Sequence, residues 1–281
     1  MKLNIRDFGN LYGRPKELAN FLALIKSEPI SDSCANFTPR DLYHNYKVVA
    51  HICRERKAQE YYKPGDIMFT LHPLGWLEGQ ITWRIIKVEP QRMFLLATRP
   101  VAYIPFDADE LSEDKDGRPH PKKYQVEYGN NSWETSAARQ WLNSTAPKGK
   151  WWNPQHPWDA KPDEADEYDG FMCGLQQDFA DSVRTYRAFT LCTDGGCTDS
   201  EDKFWLPSIT ELTGEANGGI MEGERLLQCA LPTGFSWRLR SPTPGNSSSV
   251  CGVSTSGSLF NSSAYYTGNG LAPACVIGED H

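Results

Sequence analysis

The stretch from Thr243 to Asn269 contains no Lys, Arg, Asp, Glu or His. Charged residues make up 23% of the 281-residue chain. Under independent draws, losing Lys, Arg, Asp and Glu from 27 successive positions has a chance of about one in a thousand. Gln, Met and Trp are missing from the same stretch. Other absences narrow the function. No run approaches the roughly 18 apolar residues that a membrane-spanning helix needs, so no membrane insertion is expected. The first residues, Met1-Lys2-Leu3-Asn4-Ile5-Arg6-Asp7, lack a basic head followed by an apolar run. The expectation is therefore a chain cytoplasmic as synthesised, with no export signal. There is no basic patch: Arg54-Glu55-Arg56-Lys57 carries its own acid, and the formal net charge of -7 repels phosphate. No nucleic-acid partner is expected.

Catalytic signatures are also missing. The chain has no Gly-x-Ser-x-Gly, phosphate-binding loop, dinucleotide fingerprint or His-Glu-x-x-His. His44, His51, His72, His120, His156 and His281 are scattered. The expectation is a protein that is not an enzyme. The eight Cys include Cys192 and Cys197, but no second close pair follows, so zinc is not expected. Without an export signal, the thiols read as reduced, small apolar side chains. The acidic clusters Asp107-Ala108-Asp109-Glu110 and Glu164–Asp169 supply no acid at the first or twelfth position of the helix-loop-helix calcium pattern. No cofactor and no metal are expected. A lectin-type calcium site assembled from distant loops stays open.

What is present belongs to a globular protein: 39% hydrophobic residues, and enough length to bury roughly three-quarters of the unfolded surface. Residues 1–62 read as a helical extension. Leu18, Phe21, Leu22 and Ile25 share one face, and a second helix runs from Thr38-Pro39 to about Glu60 through Leu42, Tyr43, Tyr46, Val49, Ala50 and Cys53. The period changes at Lys63-Pro64-Gly65-Asp66. Residues 67–71, 82–88 and 92–98 read as a meander of strands. Residues 132–143 form a short helix capped by Ser132 or Thr135, with Ala138, Trp141 and Leu142 inward. Residues 144–170 are a long irregular loop. Phe204–Ser208 and Phe235–Pro242 are strands, and 250–277 holds short strands around Ser/Gly turns. Trp133, Trp141, Trp205 and Trp237 are core. Arg238 and Arg240, two apart on one strand, either meet an anionic ligand or pair with acids and hold the loops; the second reading is preferred.

Four elements in order carry a resemblance. They are Pro64–Ile67 with Trp83–Ile86, then Trp133-Glu134-Thr135-Ser136 with Arg139 and Trp141-Leu142-Asn143, then Phe204-Trp205-Leu206-Pro207-Ser208, and finally Trp237–Pro242 with Gly270–Ile277. Over residues 63–277 the chain resembles a family of C-type lectin-like domains of gut bacteria and their phages. It is more distantly similar to the formylglycine-generating-enzyme branch. Some members are the variable proteins of diversity-generating retroelements. The resemblance implies an α+β, C-type lectin-like fold in residues 63–281, with a variable C-terminal region at about 243–269. It implies a receptor-type binder of a protein or glycan ligand. A virion or phage lysis would bring such a chain to an external partner.

The residues of that region fit the implication. Ser, Gly, Asn and Tyr are the composition of adaptable binding loops. Adenine-directed mutation of an Asn codon ending in a pyrimidine never yields Lys, Glu, Gln, Met or Trp, all five of which are absent. Under this reading the contact positions are Asn246, Ser247, Ser248, Ser249, Ser254, Ser256, Ser258, Phe260, Asn261, Ser263, Tyr265, Tyr266 and Asn269, with exposed Phe260, Tyr265 and Tyr266 as anchors. Val250, Val253, Leu259, Ala272, Val276 and Ile277 are framework. Turn dipeptides such as Ser256-Gly257 also fit plain hairpins. Two alternatives stay open: a phage structural or tail-associated protein with a fixed assembly surface, and an enzyme of the formylglycine-generating type built on Cys251 and Cys275.

Overall fold

Tyr46, Val49, Ile52 and Cys53 recur at helical spacing, and all four are buried along helix α1 (Tyr46–Arg54). The structure is a computed structural model that describes residues 46–74, 79–192 and 196–278. The expected helices at 15–26 and from Thr38 lie outside the described residues. The second expected helix does not run on to Glu60. Arg56 takes a left-handed backbone, φ 57°, which breaks it, and a separate turn α2 (Ala58–Tyr61) follows. Tyr46 donates to the Phe69 carbonyl at 2.6 Å and meets the Phe179 ring edge-on at 4.6 Å. Residues 46–62 are thus built into the hydrophobic core of the rest of the chain rather than standing apart from it.

The meander is present as β1 (Ile67–Leu71), β2 (Gln80–Glu89) and β3 (Arg92–Ala97), paired antiparallel in sequence. A bulge between Ile85 and Lys87 turns both Ile85 and Ile86 inward, which strict alternation forbids. Helix α3 (Lys123–Tyr128) falls where the sequence raised no expectation of a helix. Helix α4 (Ala137–Leu142) buries Ala138, Trp141 and Leu142. Its cap is Ser136, whose hydroxyl accepts from Arg139 N, and not Ser132 or Thr135. The loop at 144–170 is irregular apart from one 3-10 turn, Asp163–Asp166. Helix α5 (Gln177–Ser182) leads to β4 (Val183–Arg184), and a hairpin of β5 (Tyr186–Leu191) and β6 (Cys197–Asp202) follows.

Strand β7 (Phe204–Trp205) enters helix α6 (Ile209–Thr213) through a capping box between Ser208 and Glu211. The C-terminal strands are β8 (Trp237–Pro242), β9 (Ser249–Val253), β10 (Leu259–Ser263), β11 (Gly270–Leu271) and β12 (Ala274–Gly278). One sheet runs β1-β2-β3-β12-β4, with β7 also on β12; a second runs β10-β9-β8-β11. The architecture is mixed α+β. Trp133, Trp141, Trp205 and Trp237 are all core. No helix among the described residues is long and apolar enough to cross a membrane.

Candidate functional site

The uncharged stretch forms β9, β10 and the turns on either side, at the free edge of the second sheet. Its main chain is held by polar side chains and main-chain groups of the frame. Asn131 Nδ2 donates to the carbonyls of Asn246 at 2.6 Å and Ser249 at 2.7 Å. Gln125 Nε2 donates to the Ser247 carbonyl at 3.1 Å. Phe106 N donates to the Ala264 carbonyl at 2.9 Å, and Tyr265 N donates to the Tyr128 carbonyl at 3.1 Å. Arg238 Nη2 donates to the carbonyls of Ser263, at 2.9 Å, and Tyr266. Every one of these contacts ends on a backbone atom of the stretch. The frame therefore fixes the path of the chain without specifying its side chains.

Gly129 is a close point of this clamp. A Cβ there would lie 2.6 Å from the Asp107 carbonyl and 3.1 Å from Tyr265 N, and its φ of +74° disfavours other residues. The hairpin turn between β9 and β10 closes through Ser254 and Gly257, the latter at φ +90°. On one face the Phe260 ring covers Gly252, its direct cross-strand partner, so closely that a Cβ on Gly252 would meet Phe260 Cζ at 2.7 Å.

The side chains divide accordingly. Asn246, Ser256, Ser258, Asn261, Tyr265 and Tyr266 are exposed, and Ser247, Ser249, Ser254, Phe260 and Ser263 are half-buried. Ser248 and Asn269 are buried, so these two expected contact positions belong to the frame instead. Ser248 hydrogen-bonds Asn246 Oδ1, and Asn269 Nδ2 donates to Ser262 Oγ at 3.1 Å. The Phe260 ring, expected to be exposed, lies down on Gly252. Leu259, expected in the core, is 45% exposed because β10 is an edge strand and the core cover ends at β9. Val250, Val253, Ala272, Val276 and Ile277 are buried.

Two residues outside the stretch extend the surface. Tyr124 and Tyr128, one helical turn apart on α3, are exposed, with rings stacked at 6.5 Å. The Tyr128 ring then meets Tyr265 at 6.1 Å. Their (i, i+4) spacing in a polar segment was the signal available in the sequence. The result is a row of aromatic faces with polar tips, two from the frame and one from the uncharged stretch.

Beneath α3 lies a buried titratable cluster. Glu110 accepts from Asn130 Nδ2 at 3.0 Å, contacts His120 Nε2, and lies 3.0 Å from His156 Nε2. Burial opposes ionisation of Glu110, but His156, Asn130 and His120 outweigh it and hold its carboxyl below the ordinary range. The Glu110 carboxylate raises His156, against the pull of burial. His120 Nδ1 accepts from Lys122 N at 2.8 Å, which leaves Nε2 as the protonated nitrogen facing Glu110. Burial, with Asp159 nearby, pushes Asp107 well up.

The two strand arginines part company. Arg240 is wholly buried and makes a two-pronged pair with Glu211, Nη1 to Oε2 at 2.6 Å and Nη2 to Oε1 at 2.9 Å. Arg238 reaches only main-chain carbonyls. Pairing with acids thus describes Arg240, and holding the loops describes Arg238.

Cys251 and Cys275 are buried. Burial pushes Cys251 up to about 11 and Cys275 well up. Such thiols are protonated near neutral pH. Cys192 stands opposite Gly196, and Cys197 opposite Leu191. Adjacent positions point to opposite sheet faces, so the two Cys lie on opposite sides of the hairpin. Among the described residues no group of His, Cys, Asp and Glu is arranged to hold a metal ion.

A family model, described as a domain of unknown function (DUF6273), matches residues 94–279 and so runs from within β3 through β12. The chain belongs to that family. No curated protein and no solved structure matches it.

Proposed function

We propose that this chain is a receptor-type binding protein with a C-type lectin-like fold. It presents the 243–269 surface to a protein or glycan ligand as the variable protein of a diversity-generating retroelement. One observation carries the reading: the frame grips the stretch through its backbone carbonyls and amides, while six of the expected contact side chains stand in solvent. Such a design tolerates replacement of most of the exposed side chains, because few framework hydrogen bonds end on them; the exception is Asn246, whose Oδ1 accepts from Ser248 N and Oγ. The composition supports the same reading, since Ser and Asn adapt and Tyr supplies rigid contact area at low entropic cost. The row Tyr124, Tyr128 and Tyr265 supplies aromatic anchors of the kind that dominate interfaces.

The test is a library randomised at Asn246, Ser256, Ser258, Asn261, Tyr265 and Tyr266, displayed and selected against panels of proteins and glycans. The reading expects most clones to fold and different clones to select different ligands. A library whose members mostly unfold would show that these side chains are structural.

A further inference from the structure

The outermost strand of a sheet carries main-chain N–H and C=O groups that point away from its one neighbour, and an uncovered row of them pairs with another chain. Strand β1 is an edge of the first sheet. His72 N donates to the Gly79 carbonyl at 2.7 Å, one step beyond the β1–β2 ladder. Hydrogen-bonded pairs alternate along an antiparallel ladder, so Ile67, Phe69 and Leu71 direct their main chain outward. The protein closes that edge itself. The Phe69 carbonyl accepts from the Tyr46 hydroxyl, the Leu71 carbonyl accepts from Gln176 N, and Leu71 N donates to Gln176 Oε1. Strand β11, an edge of the second sheet, is closed too: Leu271 N donates to the Ala102 carbonyl, and the Leu271 carbonyl accepts from Val101 N.

At the opposite edge of that second sheet, β10 lacks such cover. Ser254 N donates to the Ser258 carbonyl and Ala264 N to the Ser248 carbonyl, both at 2.8 Å. These two bonds bracket the β9–β10 ladder, whose register runs unbroken from Leu259–Val253 to Ser263–Ser249. Phe260 and Ser262 are therefore the residues hydrogen-bonded to β9, and Leu259, Asn261 and Ser263 turn their main chain away from it. The Ser263 carbonyl is taken, by Arg238 Nη2 and by Tyr266 N. The N–H and C=O groups of Leu259 and Asn261 have no partner among the described residues. The devices that keep an edge single are missing as well. Strand β10 has no proline, no charged residue and no bulge, and its five residues are an ordinary strand length. Leu259 and Asn261 share one face of it, and both are exposed.

We propose that the outer edge of β10 receives an extended segment of a protein ligand as an added strand. The two N–H and two C=O groups of Leu259 and Asn261 alternate at strand spacing, and another peptide main chain presents the matching row. A glycan offers hydroxyls without that alternation. An apolar residue of the added strand, set opposite Leu259, covers its exposed side chain. A second copy of this chain fits less well. Two-fold antiparallel pairing centred on Asn261 sets Leu259 opposite Ser263 and needs the Ser263 carbonyl, which already accepts twice. A ligand strand can stop short of Ser263. Main-chain pairing is unchanged when the side chains around it change, so a variable surface so built keeps one fixed mode of attachment while Ser256, Ser258 and Tyr265 set specificity. The inference rests on the reading of 243–269 as a contact surface.

The experiment selects short linear peptides from a displayed random library on the full chain, and resynthesises the hits with N-methyl groups at alternate residues. One of the two alternate patterns removes the N–H groups that face β10 and the other does not. The first is expected to weaken binding by about tenfold or more, and the second to leave most of it. Hydrogen exchange at the Leu259 and Asn261 amides is expected to be fast in the free chain and slowed by the peptide. Asn261→Pro removes an N–H that β9 does not use, so Tm is expected to hold while peptide binding falls. Asn261→Ala keeps the N–H and is expected to keep the binding. If Asn261→Pro does not fold, the two N-methyl patterns carry the test. The proposal is overturned by a library that yields no binder, by hits that both patterns weaken alike, or by Leu259 and Asn261 amides already protected in the free monomer. Protection that appears only with rising protein concentration assigns the edge to a second copy and overturns it too. Capture of a protein or glycan by the exposed side chains, with these two amides still exchanging fast, fails strand addition alone. Peptides that add to β10 while the randomised side chains capture nothing leave strand addition standing and fail the reading of a diversified contact surface.

Discussion

Glu211 and Arg240 form a two-pronged ion pair in which neither side chain has measurable exposure. The pair joins the capping box of α6 to β8, since Glu211 also accepts from Ser208 N at 3.0 Å. Removing one partner leaves an unpaired buried charge. Glu211→Ala is expected to cost about 3–5 kcal/mol in a denaturant melt. The double variant Glu211→Leu with Arg240→Met removes both charges and is expected to recover a large part of that loss. Equal losses in single and double variants would show that packing, and not charge, holds the site.

Asn131 ties the strand β9 entry to the frame through two carbonyls. Asn131→Ala is expected to cost about 1–3 kcal/mol, the usual range for stranding buried acceptors. Native-state hydrogen exchange should quicken first at residues 246–250. Uniform quickening across both sheets would contradict the local role.

Tyr265 and Tyr266 are 43% and 50% exposed. Changing both to Ala is expected to leave stability within about 0.5 kcal/mol. Affinity for a ligand selected on the wild-type surface should fall at least tenfold. A large stability loss would place the rings in the frame.

The Glu110–His156 contact makes stability depend on pH. His156 is raised in the folded state, so its contribution is full below its unfolded value of about 6.5 and is lost as pH rises through the folded value. Glu110 is lowered, so its contribution is present above its ordinary value and is lost as pH falls through the folded one. Tm measured for wild type and His156→Gln should differ more at pH 5.5 than at pH 8.5. A gap independent of pH would mean that His156 does not ionise against Glu110.

Much of this was legible in the sequence, and the failures have physical reasons. Strands β1 and β3 alternate or run apolar, so hydrophobic periodicity found them. Strand β6 reads Cys-Thr-Asp-Ser-Glu-Asp and was not found, because what it buries is polar. Ser200 and Asp202 both face the Trp133 indole N–H, and Asp202 accepts from Arg139 at 2.6 Å. A strand that earns its burial through hydrogen bonds leaves no apolar signature. Helix α3 was missed for a related reason: among its six residues only Gln125 is buried. The uncharged stretch could be read at once, but its buried members Ser248 and Asn269 could not be told from exposed Ser and Asn. That distinction depends on which hydroxyls and amides find partners in three dimensions.

The central claim is that residues 243–269 form a diversified contact surface. Sequencing this locus and its flanks across a population tests it most directly. The account predicts codon differences concentrated at the exposed positions Asn246, Ser256, Ser258, Asn261, Tyr265 and Tyr266, falling where a nearby near-duplicate carries adenine, beside a reverse-transcriptase gene. A fixed segment with no duplicate would contradict diversification and leave a static binding or assembly surface in its place.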